Sequence, residues 1–463
     1  AKASIARSMQ PDLAQITPRA RVGAQARALL ALGLPLVGSH IAQVLISVTD
    51  TIMMGWYDIT DLAALSLAGP IFFIVFIFGS GFAWAVTPMV ASALGQDDER
   101  QVRRVTRMGL WLSIGYGLIF TPVFFFFEPI LLAIGQEPDV ARQAGLYMPL
   151  IGLGLIPALL VQLLKSYLSA LELTRAILVA IIGAACMNAV VNYILIFGNF
   201  GAPELGIVGA GVASLASHVV ALLALTFYAL RKKPEHELLK NFHRPDPEAL
   251  RSVFRLGVPI GFTLLAETGL FAASSVMMGW LGKVPLAAHG IALQITSVTF
   301  MIPLGLSQAV TVRVGKAWGR RDREDLNAAA TAGLYLAGSA LILNVAAFVL
   351  MPGFLVGLFI DPTDANRPEI LTAGISLLIV AALFQTVDYG QVMALGMLRG
   401  VQDTRIPMIV AIISYWGIGM PVAYVFGFVF GIGGPGIWLG LTMGLAGACV
   451  AMQLRFWRRY ATP

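Results

Sequence analysis

Asp50, Glu267 and Asp388 each fall deep inside an apolar run long enough to cross a bilayer. A charge at the centre of such a helix costs about 2.5–3.5 kcal/mol on insertion scales. Polar residues accompany each acid at helical spacing. His40, Gln43, Ser47 and Asp50 are separated by 3, 4 and 3 residues, which draws one stripe along a helix face. Thr263, Glu267 and Ser274 repeat the pattern, as do Gln385, Asp388 and Gln391, and Asn188 and Asn192 lie one turn apart. Buried carboxylates of this kind can be neutralised reversibly, by a proton or by a hard cation that oxygens hold. Lipid satisfies none of these groups, so the stripes must face a cavity or another helix. Plain interhelical hydrogen bonding is the alternative, with equal weight for Gln43, Asn188 and Asn192. His40 and His289 read as structural, and Glu128, near the end of its run, as solvated.

The elements that position these residues follow from composition. The chain has 463 residues, 58% hydrophobic and 12% charged, with a mean hydropathy of +0.81. Soluble proteins carry about 25% charge, so a water-soluble enzyme, a disordered chain and a coiled coil are all excluded. A spanning helix needs about 20 apolar residues. Such runs recur at 28–54, 62–85, 109–134, 146–169, 176–198, 207–230, 252–280, 286–311, 329–360, 370–397, 406–429 and 433–454. The expected fold is therefore an all-α polytopic membrane protein of about twelve transmembrane helices. Its expected parts are an N-terminal arm (1–27) with no cleavage-type site, an N-lobe (28–230), a linker (231–251), a C-lobe (252–454) and a tail (455–463).

Charge placement orients the chain. With an even number of spans and both ends on one side, that side holds 28 of the 31 Lys and Arg; only Arg142, Lys283 and Arg367 fall opposite. This is the positive-inside pattern. It predicts cytoplasmic termini in an inner, plasma-type membrane, and it accounts for the pI near 9.4 without nucleic acid. Lys165 and Arg399 are counted here as residues of cytoplasmic segments. Cys186 and Cys449 lie within apolar runs and suggest neither a disulfide nor a metal centre.

The chain is also duplicated. Pro35 and Pro259 are 224 residues apart, and the same offset pairs Met53-Met54-Gly55-Trp56 with Met277-Met278-Gly279-Trp280, Gly81 with Gly305, and Asp98 with Asp322. Two parallel six-helix repeats around a central cleft follow. The offset sets Gln43 against Glu267 and Asp50 against Ser274, so each half keeps a polar stripe with its charge at a different height. Pro35 and Pro259 lie inside spans, where a kink, local unwinding or a hinge is expected.

No nucleotide loop is present, since Gly315-Lys316-Ala317 lacks both the glycine-rich loop and the hydroxyl. No zinc or other metal motif appears. Asp97-Asp98-Glu99, followed by Arg100, Arg103 and Arg104, reads as a solvated, charge-balanced loop. Uphill work would then draw on an ion gradient, and one charge crossing 100 mV supplies about 2.3 kcal/mol.

Gln43-x6-Asp50-Thr51 with Met54-Gly55 resembles the first helix of the multidrug and toxic compound extrusion (MATE) family. Phe300-Met301-Ile302-Pro303, running on to Arg313-Val314-Gly315, resembles its NorM branch, as does Leu398-Arg399-Gly400 with Gln402-Asp403-Thr404. The resemblance spans essentially the whole chain. It implies a cation-coupled antiporter that exports hydrophobic, often cationic drugs and dyes and is functional as a monomer. It also implies an N-lobe cation or substrate site at Asp50, Asn188, Asn192 and Ser214, with Gln43 beside it, and a C-lobe cation site at Glu267 and Asp388. Asn192 departs from members that carry an acid there, which weakens a multi-carboxylate N-lobe proton site. Gln294, Gln385 and Gln391 are candidate supporting groups. The coupling ion is Na+ or H+, the paired acids favouring Na+, and no organic cofactor is expected. A lipid-linked precursor flippase, which would need a strongly cationic cavity, and a polytopic membrane transferase are the alternatives.

Overall fold

In the computed structural model, residues 17–461 are described, and among them there are helices but no strands. The first half contains α1 (Pro18–Tyr57), α2 (Ile59–Gly95), α3 (Glu99–Phe120), short α4 (Phe127–Ala133), α5 (Pro138–Leu153), α6 (Leu155–Ala170), α7 (Thr174–Phe197) and α8 (Ile207–Lys232). The second contains α9 (Pro247–Leu281), α10 (Lys283–Arg320), α11 (Arg323–Leu350), short α12 (Pro352–Gly357), α13 (Arg367–Gly400), α14 (Arg405–Ile412), short α15 (Met420–Tyr424) and α16 (Gly434–Phe456). α5 and α6 form one span bent by 40°. The break falls at Gly154, where Pro157 cannot donate to the carbonyl of residue 153 and its ring crowds that carbonyl. Counting that pair once, there are twelve spans among the described residues.

The helices outrun the apolar runs at their polar ends. α1 starts within the expected arm, α9 within the expected linker, and helical structure continues through the expected tail to Ala461. The connection between the halves is thus 233–246; the expected arm's residues 1–16 lie outside the described residues. Local chemistry explains the starts. Asp98 and Asp322, the pair matched by the 224-residue offset, both cap helix N-termini, accepting from Gln101 N at 3.1 Å and Asp325 N at 3.0 Å. Pro35 and Pro259 sit inside unbroken helices, so the unwinding expected there does not occur.

Within each lobe the long helices pack on one another, α1 on α7 in the first and α13 on both α10 and α16 in the second. The lobes meet through α2 against α9 and α10, and through α1 against α10 and α11. All the interlobe bonds and ring contacts described lie on one side of Asp50 and Glu267, toward the end rich in Lys and Arg. His40 Nε2 and Gln308 Oε1 are 2.7 Å apart. The Phe78 and Phe262 rings meet edge to face at 5.0 Å. Gly81 faces the backbone of Gly257 and Gly261, and a Cβ built on it would stand 2.6 Å from Gly257 O. Only glycine allows that approach. Nearer the surface, Glu172 accepts from Arg313 at 2.7 Å and Lys316 at 2.9 Å, and Gln25 Nε2 donates to Asp325 at 2.8 Å. The cleft is therefore closed at this basic end.

Burial works against the Glu172 charge, but Lys316 and Arg313 outweigh it and hold the carboxyl below the usual glutamate range. A depressed folded value means that the contribution to closure is full above the ordinary glutamate pKa, about 4.3. It is lost only as pH falls through the depressed value. Closure should therefore be insensitive to pH between about 6 and 8. Glu172→Gln should loosen it by about 1 kcal/mol or less per pair, because these groups are partly exposed. Labelling of a cysteine introduced at Leu306 by a membrane-impermeant reagent would show this; a rate unchanged by Glu172→Gln would remove these pairs from the seal.

Candidate functional site

Two polar centres lie on the far side of that seal, one in each lobe. In the first, Asp50 on α1 is buried and receives Asn192 Nδ2 from α7 at 2.5 Å on one oxygen. Its other oxygen receives Ser214 Oγ from α8 at 3.2 Å. Asn192 Nδ2 also donates to Asn188 Oδ1 at 3.1 Å. Asn188 and Asn192 are fully buried, and Asn188 Nδ2 and Asn192 Oδ1 have no partner. Buried polar atoms left without partners are costly, so this centre has capacity for a donor and an acceptor beyond its own bonds. Tyr147, on α5, lies buried beside Asp50 and Ser214. No stripe in the sequence marked it.

Gln43 does not join this centre. It accepts from Lys165 Nζ at 2.9 Å, two turns nearer the basic end. Lys165 is buried at 2% exposure, not solvated in a cytoplasmic segment as its place near the end of an apolar run suggested. Gln294 is exposed on α10 and is not drawn into either centre.

The second centre is built on α13. Asp388, Gln385 and Gln391 are buried on one face, and Asp388 is close enough to Glu267 of α9 for their charges to interact. Asp388 Oδ1 and Gln391 Oε1 are buried acceptors with no donor. Carboxylate and amide oxygens oriented in this way suit a hard cation. Gln391 donates to the hydroxyl of Tyr415, and Asn344 of α11 donates to that of Tyr389 and to Gln385 Oε1, the latter at 3.3 Å. These bonds fix the rotamers around Asp388. Arg399, buried at 6%, interacts electrostatically with Glu267 and lies 5.4 Å from the centroid of the Trp84 ring on α2 of the other lobe. It too is an interior group rather than a segment charge. Trp84 and Arg399 link the second centre to the lobe seam, a cation–π contact worth about 0.5–2 kcal/mol.

The two histidines hold helices together. His40 pairs with Gln308, while His289 bonds Ser275 at 3.0 Å and receives Trp438 Nε1 at 3.0 Å.

The MatE family profile matches residues 35–194 and again 259–425, starting at the same two prolines that reveal the duplication. The chain belongs to the MatE family. This MatE chain is 47% identical over 437 residues to a probable multidrug resistance protein NorM of Rhizobium meliloti strain 1021, covering 93% of each. It is 44% identical to the corresponding NorM of Agrobacterium fabrum strain C58, again covering 93% of each. In fold it is similar to a crystal structure of MATE in the bent conformation, with a TM-score of 0.86 at 22% identity, covering 96% and 97% of the two chains.

In this MatE protein the structure gathers Asp50, Asn188, Asn192 and Ser214 into one centre, and Glu267, Asp388, Gln385 and Gln391 into the other. Sequence reasoning missed Tyr147, Asn344, Tyr389 and Tyr415. Asn344 alone carried a signal, as a lone amide in an apolar run.

Proposed function

We propose that the chain is a secondary active antiporter that exports hydrophobic, often cationic drugs in exchange for inward Na+ or H+. The relatives' description as multidrug resistance proteins supports this reading. The observation that carries it is the pairing of two separated carboxylate centres with lobes whose bonds and ring contacts, among the described residues, all lie on one side of them. On this reading the basic end is cytoplasmic, the membrane is the bacterial inner membrane, and the closed seal leaves the cleft facing outward. The protein works as a monomer.

In that state a cation arriving from outside meets Glu267 and Asp388. Its binding would cancel repulsion between the carboxylates of buried Asp388 and half-buried Glu267. Asp50, which accepts from two side-chain donors, is the acidic group of the other centre, where a cationic amphiphile would bind. Outward release and cytoplasmic reloading of the drug then require the seal to open and re-form, with Glu172, Gln25 and the Gly81 contact parting together. A lipid-linked pyrophosphate reading is less favoured. The two buried cations, Lys165 and Arg399, lie in different lobes and do not form one anion pocket.

Asp50→Asn removes the charge while keeping the shape. Cationic dye affinity should fall roughly 10- to 150-fold, the range for losing a charged hydrogen-bonding partner, while a neutral substrate is little affected. Equal loss for both would mean that Asp50 serves folding alone. Dye efflux from proteoliposomes under separately imposed Na+ and pH gradients tests the function as a whole. Efflux driven by neither gradient defeats the proposal.

A further inference from the structure

The arginines after Asp97-Asp98-Glu99 do not form the charge-balanced loop that their spacing suggested. They line a cavity of about 420 Å³ between the start of α3 and the connection joining the lobes, a size within the roughly 300–1,000 Å³ of small-ligand pockets. Arg100, Arg103, Arg104 and Arg107 come from α3, and Lys240 and Arg244 from the connection. Offsets of 3, 4 and 7 place the four arginines on one helix face. Only two carboxylates, Glu237 and Asp246, share the lining, leaving a formal excess of four positive charges.

The internal pairing does not absorb that excess. Arg104 takes Asp246 at 2.6 and 3.1 Å and also Glu248, from outside the lining, at 3.4 Å, which lowers the excess to three. Arg103 and Lys240 share Glu237, at 3.8 and 3.1 Å. Arg107 donates to the backbone carbonyl of Leu238 at 3.0 Å and to that of Glu237, both uncharged acceptors. Arg100 and Arg244 are exposed and form no ion pair among the described residues. Guanidinium forks converging on a concavity match the paired oxygens of a phosphate.

The position of the cavity indicates where that phosphate comes from. Trp111 lies one turn beyond Arg107 on the same face, donating to Phe242 O at 2.8 Å, with the two rings 6.5 Å apart. Tryptophan at this depth marks the boundary between water and lipid. Leu239, also on the connection, is exposed. Along this one helix the cationic residues of the cavity are followed, one turn on, by an aromatic pair, the polarity sequence of an anionic phospholipid. Basic pockets at the cytoplasmic ends of membrane helices bind such headgroups.

We propose that this cavity binds a phosphate-bearing anionic headgroup, supplied by a phospholipid of the adjoining leaflet, and so fastens the interlobe connection to α3. This inference does not depend on what the protein transports.

Calorimetric titration of the full chain in neutral detergent tests it with three probes: dihexanoyl phosphatidylglycerol, dihexanoyl phosphatidylcholine and inorganic phosphate. Phosphatidylglycerol should bind one site in preference to phosphatidylcholine. Arg100→Gln with Arg244→Gln should weaken it roughly 30-fold, the attraction of two basic side chains near a membrane surface. Both residues are exposed, and Arg103→Gln with Lys240→Gln, also from the lining, provides a second pair with no position in common with the first. Inorganic phosphate binding as tightly, and being lost in the same variants, would keep the phosphate chemistry but overturn the lipid as its source. Equal affinity for the two lipids, or phosphatidylglycerol binding unchanged in both double variants, would overturn the site.

Discussion

Asp388→Asn combined with Glu267→Gln should leave a protein that inserts and folds but cannot concentrate dye against a gradient. On the proposed reading the two residues contribute the acceptors for a coupling cation, and Asp388 Oδ1 is buried with no donor of its own. An uncharged amide removes the reason for a cation to enter. Each elementary charge no longer carried across 100 mV forfeits about 2.3 kcal/mol of driving force, or roughly 50-fold in the attainable drug ratio. The measurement is the steady-state dye ratio in proteoliposomes at a fixed potential, with Na+ and proton gradients imposed separately. Either single variant should show most of the loss if, as proposed, the two carboxylates act on one ion. Folding should survive, since neutralising two neighbouring like charges relieves repulsion. Accumulation at the unmodified level in the double variant would refute the C-lobe assignment.

The second large effect is expected at Gly81. A Cβ there would lie 2.6 Å from Gly257 O and 2.7 Å from Gly261 N, and both of these are backbone atoms. No rotamer change can relieve such a contact, so Gly81→Leu must push α2 away from α9. Overpacking of this kind costs about 1–3 kcal/mol. The strain exists only with the basic end closed, so it should shift the population roughly 5- to 150-fold toward the state open at that end. In a background without Cys186 and Cys449, a cysteine placed at Leu306 should become reactive to an impermeant reagent applied from the basic side, and efflux should slow. Gly81→Leu with native labelling and native efflux would show that this contact does not gate the cleft.

Much of this architecture was readable from residue type and spacing. Twelve apolar runs fixed the helices, because backbone groups in hydrocarbon must be satisfied within the helix. The 224-residue offset anticipated the two lobes, and Asp98 and Asp322 turned out to mark equivalent helix starts. The three intramembrane acids drew notice because burying a charge is costly. Less legible were the charges near the ends of runs. Distance along the chain places Lys165 and Arg399 with solvated segments, because it carries no information about side-chain direction. Both point back into the bundle, one to Gln43 and the other toward Glu267 and Trp84.

Asp50 and Gln43 show where the two levels part. Their spacing establishes that they share a helix face, a property of one helix and its 3.6-residue turn. Which groups meet that face at each height depends on neighbours far away in sequence, and α7 brings Asn192 to Asp50 while α6 brings Lys165 to Gln43. The sequence alone thus determined the spans, the duplication and the costly acids, since these follow from local periodicity and solvation. Only the tertiary structure decided which acids share a centre, which cations accompany them and at which end the lobes close. Those outcomes are set by contacts between helices, and a stripe on a single helix carries no record of its partner.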